Sequence, residues 1–249
     1  MHNPTQRLLN RWESSSSIAS RNFQFACALS GILCLAFFCV GLAASGFIPP
    51  PPPSWDAEMI VQHYRDHHKG MQAGVILITI SGLFYLPLTA ALSAQMMRIP
   101  GLHYSVSALQ LASGAAGIFN FILPGVILGV ASYRLDRPVV ITQTLNDLFW
   151  FTAVMAVPTF MIQSIAIAYA VIGDFRQKPL FPKSVAILNI VAPALLIPVL
   201  AIHLAQTGPI AWDGAVFFWV PACAFGIQII TDSICLARAA YAESTVDQS

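Results

Sequence analysis

Three histidines and an aspartate lie close together in one polar stretch, where they could bind a metal ion. His63 and His67 are four residues apart, and Asp66 and His68 are their neighbours. Residues four apart share a helix face, so the two rings can reach one ligand. Imidazole and carboxylate groups bind zinc and copper. Alternatively these histidines are solvated polar residues, because H-x-x-x-H alone is a weak signal and H-E-x-x-H is absent.

A single carboxylate interrupts the last apolar stretch of the chain. Asp232 lies about a turn and a half before Arg238. An ionisable residue inside a membrane helix is a functional candidate by default, and proton or ion coupling is the chemistry that it would serve. The alternative is that Asp232 lies near the end of its helix and reaches water or pairs with Arg238.

Polar residues also recur within the apolar stretches at helical spacing. They are candidates for binding a mostly apolar ligand, which a pocket holds with a few polar groups. The candidate residues are Gln110, Asn120, Thr159, Gln163, Gln228 and Asp232. Gly114, Gly117, Gly125 and Gly129 form a small-residue face that could dock a partner membrane protein. Alternatively both stripes only pack the helices together.

The elements that must position these residues are membrane helices. The chain is 57% hydrophobic and 9% charged, whereas soluble domains are about 25% charged. Six apolar runs can each cross about 30 Å of hydrocarbon, and all are too long for barrel strands. We place them at Phe23–Ile48, Met71–Met97, Ser105–Tyr133, Leu148–Gly173, Ser184–Gln206 and Gly214–Leu236. The predicted fold is an all-α bundle of six transmembrane helices.

Lysine and arginine predict the orientation of this bundle. Eight of them fall on the side of both termini and four on the other side, which places both termini in the cytoplasm. Residues 1–22 and 237–249 are then cytoplasmic tails around a membrane domain at 23–236. The outer side holds the histidine-rich stretch and His203, which would complete a metal site with His63 and His67. Trp55, Trp150 and Trp212 fall at outer ends, where indoles prefer the interface.

The segment between the first two runs predicts a docked helix. Pro49–Pro53 favours stiff polyproline II. We expect an amphipathic helix over 54–69 on the outer face, with Ser54 as its N-cap. Met59, Ile60 and Tyr64 should point toward the bundle or lipid. This helix could act as a lid over an outer opening of the bundle.

Proline recurs in every later run and predicts kinked helices. The residues are Pro87, Pro124, Pro158, Pro193, Pro198 and Pro221. Each removes a backbone hydrogen bond and tends to bend its helix. Kinked helices open cavities, and transporters bind substrate between broken helices. Proline is also common in membrane helices generally.

Several functional classes are disfavoured. A net charge of +1 provides no basic surface for nucleic acid. The lysines are Lys69, Lys178 and Lys183, all in predicted loops, which disfavours a retinal Schiff base. Bis-histidine haem needs paired histidines within spans. The P-loop, the dinucleotide fingerprint and the G-x-S-x-G elbow are absent, and the sequence indicates no particular cofactor.

The segments "IPPPPPS", "NDLFWF" and "TGPIAWDG" resemble segments of a group of bacterial multi-pass membrane proteins with no assigned activity. The resemblance runs from the first apolar run to the last. It implies a six-span protein of the bacterial cytoplasmic membrane and implies nothing about chemistry.

Together these features favour a non-enzymatic membrane protein that binds or passes a small, largely uncharged, hydrophobic molecule such as a lipid-like compound. One alternative is an accessory subunit of a larger membrane complex. A second is an outer-face zinc or copper site of a membrane oxidoreductase.

Overall fold

The computed structural model describes the backbone of residues 4–246 and the side chains of residues 21–241. All regular structure in this part of the chain is helical. Nine α-helices are numbered in chain order: α1 (Pro4–Ala44), α2 (Ala57–Asp66), α3 (His68–Met96), α4 (Tyr104–Ala116), α5 (Phe119–Tyr133), α6 (Val139–Met155), α7 (Pro158–Ile172), α8 (Lys183–Leu196) and α9 (Val220–Val246). A 3-10 helix at Ile197–Leu204 continues α8, and a π-helix at Ala215–Trp219 precedes α9. The predicted tails fall partly outside these described residues.

Six stretches of the described chain are long and apolar enough to cross a membrane, which confirms the predicted number of spans and is compatible with an integral membrane protein. They are Arg21–Ala44, His68–Met96, Tyr104–Tyr133, Val139–Ile172, Lys183–Leu204 and Ala215–Tyr241. The fourth begins nine residues before the predicted Leu148. The predicted span begins after Asn146 and Asp147, but Asn146 is buried in the bundle and lies within α6.

The spans form a closed ring in chain order. Each packs against the next one in sequence, and α9 of the sixth span closes the ring on α1. The third and fourth spans meet twice, because α5 packs on α6 and α4 packs on α7. A ring of this kind encloses a central region that several spans can line together.

Four of the six spans are interrupted along their length. The third span breaks between α4 and α5, and the fourth breaks between α6 and α7, where Pro158 opens α7. The fifth changes from α-helix to 3-10 helix at Ile197, beside Pro198. The sixth changes from π-helix to α-helix at Val220, beside Pro221. Proline lacks the N–H that continues a helix, so it accounts for three of these changes.

The interruptions fall between two apolar clusters. One cluster, the α2-side cluster, contains Ile60 and Tyr64 of α2 with Phe149, Trp150 and Trp212. The other, the far cluster, contains residues such as Tyr85, Ile167 and Leu236. Leu42 and Ile78 belong to the first cluster, whereas Cys34 and Leu88 of the same helices belong to the second. The breaks therefore lie at the level where the two halves of the bundle meet.

The segment before the second span is ordered against the bundle. Its helix covers Ala57–Asp66, which is shorter than the predicted 54–69, and its outer-face location stays a prediction. The predicted N-cap at Ser54 is wrong: the Asp56 carboxylate caps the helix by accepting from the Met59 N–H at 2.8 Å. Ile60 and Tyr64 are buried in the bundle together with Val61, and Met59 is 46% exposed.

Candidate functional site

A partly enclosed cavity lies where the interrupted spans meet. Its volume is about 120 Å³. Five of the six spans line it, all except the second. The lining includes residues at the breaks themselves, among them Val157, Leu196 and Phe217. A π-helical turn is often found at functional sites, and discontinuous membrane helices commonly surround a binding site.

Proline releases backbone acceptors around this cavity. A proline carries no N–H, so the carbonyl four residues earlier loses its usual helical donor. Pro124, Pro158 and Pro221 stand four residues after Asn120, Val154 and Phe217. All three of these earlier residues line the cavity. Their carbonyl oxygens therefore lack the donor that a regular α-helix would supply.

A buried polar stripe on α6 leads to the same cavity. Thr142, Asn146 and Trp150 are spaced by four residues and are each at most 1% exposed. Among the side chains that the structure describes, Thr142 Oγ1, Asn146 Nδ2 and Trp150 Nε1 have no hydrogen-bond partner. The other end of the Asn146 amide accepts from the Tyr64 hydroxyl of α2 at 3.3 Å. Trp150 lines the cavity, and its indole N–H is a buried donor without a partner among the described side chains.

Beside the cavity, two predicted site residues share one hydroxyl. Gln110 Nε2 donates to Thr89 Oγ1 at 3.0 Å, and Gln163 Nε2 donates to the same oxygen at 2.8 Å. The Tyr85 hydroxyl donates to Gln163 Oε1. All four residues are at most 4% exposed. This network joins the second, third and fourth spans in the far half of the bundle.

A second network holds Asp232. Asn189 Nδ2 donates to Asp232 Oδ1 at 3.0 Å, and Asn189 Oδ1 accepts from Gln228 Nε2 at 2.7 Å. Gln228 Nε2 also donates to Ser164 Oγ at 2.7 Å. Asp232 is 6% exposed and forms no salt bridge with a described side chain, so the structure does not favour the alternative that it reaches water or pairs with Arg238. Because Ser164 follows Gln163 in sequence, the two networks lie on either side of α7.

The remaining predicted ligand residues are not part of these networks. Asn120 is half-buried and lines the cavity. The Thr159 hydroxyl donates to the carbonyl of Ala156, which lies in the break before α7, at 3.4 Å. That ligand binds at any of these positions stays a prediction.

The glycine face of the third span lies inside the ring. A Cβ atom on Gly114 would meet Thr89, one on Gly125 would meet Thr79, and one on Gly129 would meet Val75. All three neighbours belong to the second span. A partner protein would compete with the second span for this surface, and a partner interface there stays a prediction.

The histidine pair forms in part. The rings of His63 and His67 lie 4.3 Å apart between centroids, and His67 Nδ1 contacts the carbonyl of His63 at 3.1 Å. His203 is exposed and lies in the 3-10 segment of the fifth span. Within residues 21–241, no group of three or more histidine, cysteine or acidic residues could hold a metal ion. The metal site therefore stays a prediction that rests on two histidines.

Burial determines the protonation state of two side chains of α2, His63 and Tyr64. It lowers the pKa of His63, and the positive charge of neighbouring His67 lowers it further. Burial also raises the pKa of Tyr64, with a smaller contribution from Asp147. Both groups are therefore neutral when the helix is docked at neutral pH.

Two tryptophans that the sequence places at the membrane interface are buried inside the protein. Trp150 and Trp212 are 1% and 6% exposed, and their rings stack at 6.2 Å between centroids. Trp212 Nε1 donates to the carbonyl of Pro51 at 2.8 Å. They lie inside the protein instead of at a lipid interface, because the proline run and the π-helix cover them.

Sequence reasoning also missed several residues of the networks. The sequence does contain a signal that could have identified Asn189, because it is the one amide side chain in the fifth span. Tyr85 and Ser164 carry none, because tyrosine and serine are common in membrane helices. Thr142 and Asn146 precede the predicted fourth span, which begins at Leu148.

Searches of protein-family models, curated proteins and solved structures find no match to this chain. The lining of the cavity defines what it can do chemically. Its residues are mostly aromatic or aliphatic, and none of them is charged. Such a lining suits an uncharged apolar molecule that makes one or two hydrogen bonds.

Proposed function

We propose that this protein is a non-enzymatic integral membrane protein that binds or passes a small, uncharged, mostly apolar molecule. The supporting observation is the apolar cavity at the junction of four interrupted spans. Apolar cavities of about 150 Å³ hold molecules the size of benzene, and this one is about 120 Å³. A ligand of that size has room for one ring or a short chain.

The polar groups of the lining narrow the class of molecule. Trp150 Nε1 is an unused donor, and the carbonyls of Asn120, Val154 and Phe217 are acceptors without their usual helical donor. A ligand with one acceptor, such as a small aromatic ketone or ether, would satisfy the indole N–H. A buried polar group left without a partner is costly, so this match favours binding.

Filling the cavity should abolish binding. Ala153 lines it and is half-buried, and Ala153→Phe places a ring in the space. We expect organic extracts of gently purified protein to contain a small apolar molecule that this variant loses. Saturable binding of acetophenone to protein in nanodiscs, above that of empty nanodiscs, should fall about tenfold or more.

The matched control is Ala112→Phe, which adds the same ring at an exposed position of the third span that does not line the cavity. It should bind like the unaltered protein. Extracts without any apolar molecule, combined with no saturable acetophenone binding, would rule out the proposal. Stoichiometric partner chains in the same preparation would instead support the accessory-subunit alternative.

The location of the protein belongs to the same proposal. The arginine and lysine distribution supports cytoplasmic termini with α2 on the outer face, and the resemblance in sequence supports a bacterial cytoplasmic membrane. The packing of Ile60, Val61 and Tyr64 into the bundle supports α2 as a docked cover and not a loose loop.

A further inference from the structure

Asp232 occupies a site built entirely from neutral groups. Its hydrogen-bond donor is Asn189, which is itself held by Val185 O at 3.0 Å and by Gln228. No lysine or arginine among the described side chains forms a salt bridge with it, and Arg238 of the same helix is exposed. A buried carboxylate without a cationic partner is costly, whereas the neutral acid is tolerated. The site can therefore exist in two protonation states.

The titratable groups around Asp232 are few. Tyr85 of the second span lies within electrostatic range, and Tyr85 is in turn within range of Cys34 of the first span. Cys235 lies on the same helix, within electrostatic range of both Asp232 and Arg238. The fourth and fifth spans contribute the neutral Ser164 and Asn189. Within the described side chains, Asp232 is the one carboxyl group of this cluster.

The network around Asp232 reaches the cavity in a few contacts. Ser164 Oγ, which accepts from Gln228, donates to the carbonyl of Phe160 at 2.8 Å. The Phe160 ring lies 4.9 Å from that of Phe225, and both rings line the cavity. Phe225 precedes Gln228 by three residues, so the two lie on neighbouring turns of α9.

We propose that Asp232 is a proton-binding site whose occupancy is linked to occupancy of the cavity. A proton taken from water forms an O–H bond on the carboxylate and returns to water when it leaves. In the anionic state both carboxylate oxygens can only accept hydrogen bonds, and in the neutral state one of them becomes a donor. The Asn189 and Gln228 amides must adjust to that change, and Ser164 and Phe160 transmit it to the cavity wall. The link, but not the proton site, rests on the proposed function.

Infrared difference spectroscopy tests the proton site without any ligand. Purified protein in nanodiscs should show a protonated carboxyl band that titrates with pH and disappears in Asp232→Asn. This variant keeps an oxygen that accepts from Asn189, so it should fold. Asp174→Asn is the control, because Asp174 lies in a loop and pairs with Arg176 at 2.6 Å. It should leave the band in place.

A second variant separates a titrating site from a merely structural one. Asn189→Leu removes the donor to Asp232 Oδ1, so the band should move in frequency while it still titrates. Spectra in which the unaltered protein and Asp232→Asn show the same titrating bands would overturn the proton site, whether or not ligand binds.

The link is measured with acetophenone as the probe. Its affinity should change about fivefold or more between about pH 5 and about pH 9, as coupled sites typically do. In Asp232→Asn the affinity should be the same at both pH values. A titrating band with pH-independent acetophenone binding would leave a proton site and overturn the link. If acetophenone does not bind at all, the link fails. The proposed function fails with it only when the organic extracts also contain no apolar molecule, and the infrared result still decides the proton site.

Discussion

A buried polar atom without a hydrogen-bond partner marks a position where a change of charge should have a large effect on stability. His63 is one of them: its Nε2 is buried and, among the described side chains, has no hydrogen-bond partner. Its ring stacks on Phe47 at 5.8 Å and contacts the edge of Trp55 at the same distance. A proton on this ring would add a buried N–H and a charge beside His67.

Acid should therefore weaken the docking of α2. The pKa of His63 in the folded protein is lower than its ordinary value of 6.5, so the unfolded chain binds more protons between these two values. Stability is full above about pH 6.5 and is lost as the pH falls toward the folded pKa. We expect the melting temperature of the purified protein to drop by about 2 °C or more over this window.

His63→Phe should remove this pH dependence, because phenylalanine can keep the stack on Phe47 and does not titrate. His203→Gln, at an exposed position, serves as the control and should retain it. Equal acid sensitivity in the unaltered protein and His63→Phe would assign the effect to another group.

At the level of helices, the close approach of the third span to the second determines how the Thr89 network forms. A Cβ atom on Gly114 would lie 2.7 Å from Gln163 Nε2 and 2.9 Å from Thr89 Cβ. A Cβ atom on Gly129 would lie 3.4 Å from Val75 Cγ1, which is an ordinary contact. The same face thus contains one position where only glycine fits and one where alanine is tolerated.

Gly114→Ala should lower the stability of the protein by about 1–3 kcal/mol, because overpacking forces the Thr89 hydroxyl and the Gln163 amide apart. Gly129→Ala should be neutral or slightly stabilising, since alanine favours helix by up to about 1 kcal/mol over glycine. Thermal unfolding followed by tryptophan fluorescence measures both. Equal effects at the two positions would contradict the packing described for Gly114.

Helix positions were largely predictable, and helix irregularities were less so. Long apolar runs located all six spans, because a bilayer demands about 20 apolar residues per helix. Pro158, Pro198 and Pro221 indicated bends, but not that the bends would meet around one cavity. The break before Phe119 has no proline beside it, and its position depends on packing against the second span, where Ile118 lies over Gly82.

Across the whole molecule, the closed ring could not be predicted from the sequence. Polar residues on several spans were expected to face the interior, and Gln110, Gln163, Gln228 and Asp232 do so. Their division into two networks depends on which spans are neighbours. The chain-order ring pairs the fifth span with the sixth, so Asn189 meets Gln228 and Asp232.

Reporter fusions test the orientation of this ring. Alkaline phosphatase is active only outside the cytoplasm, so a fusion after Tyr133 should be active and a C-terminal fusion inactive. Green fluorescent protein at the same two sites should give the opposite pattern. The reason is the excess of arginine and lysine on the side of the termini. An active C-terminal phosphatase would place α2 and its histidines in the cytoplasm.

The hydrogen bond from Trp212 to the carbonyl of Pro51 joins residues 161 positions apart. The ribosome makes Pro51 early and Trp212 near the end of the chain. The segment formed by the proline run and α2 therefore lacks this hydrogen bond while four further spans enter the membrane. Tyr64 can form its hydrogen bond earlier, because Asn146 of the fourth span is synthesised before Trp212. The segment that closes one face of the finished bundle is thus among the first parts to be synthesised and among the last to be secured.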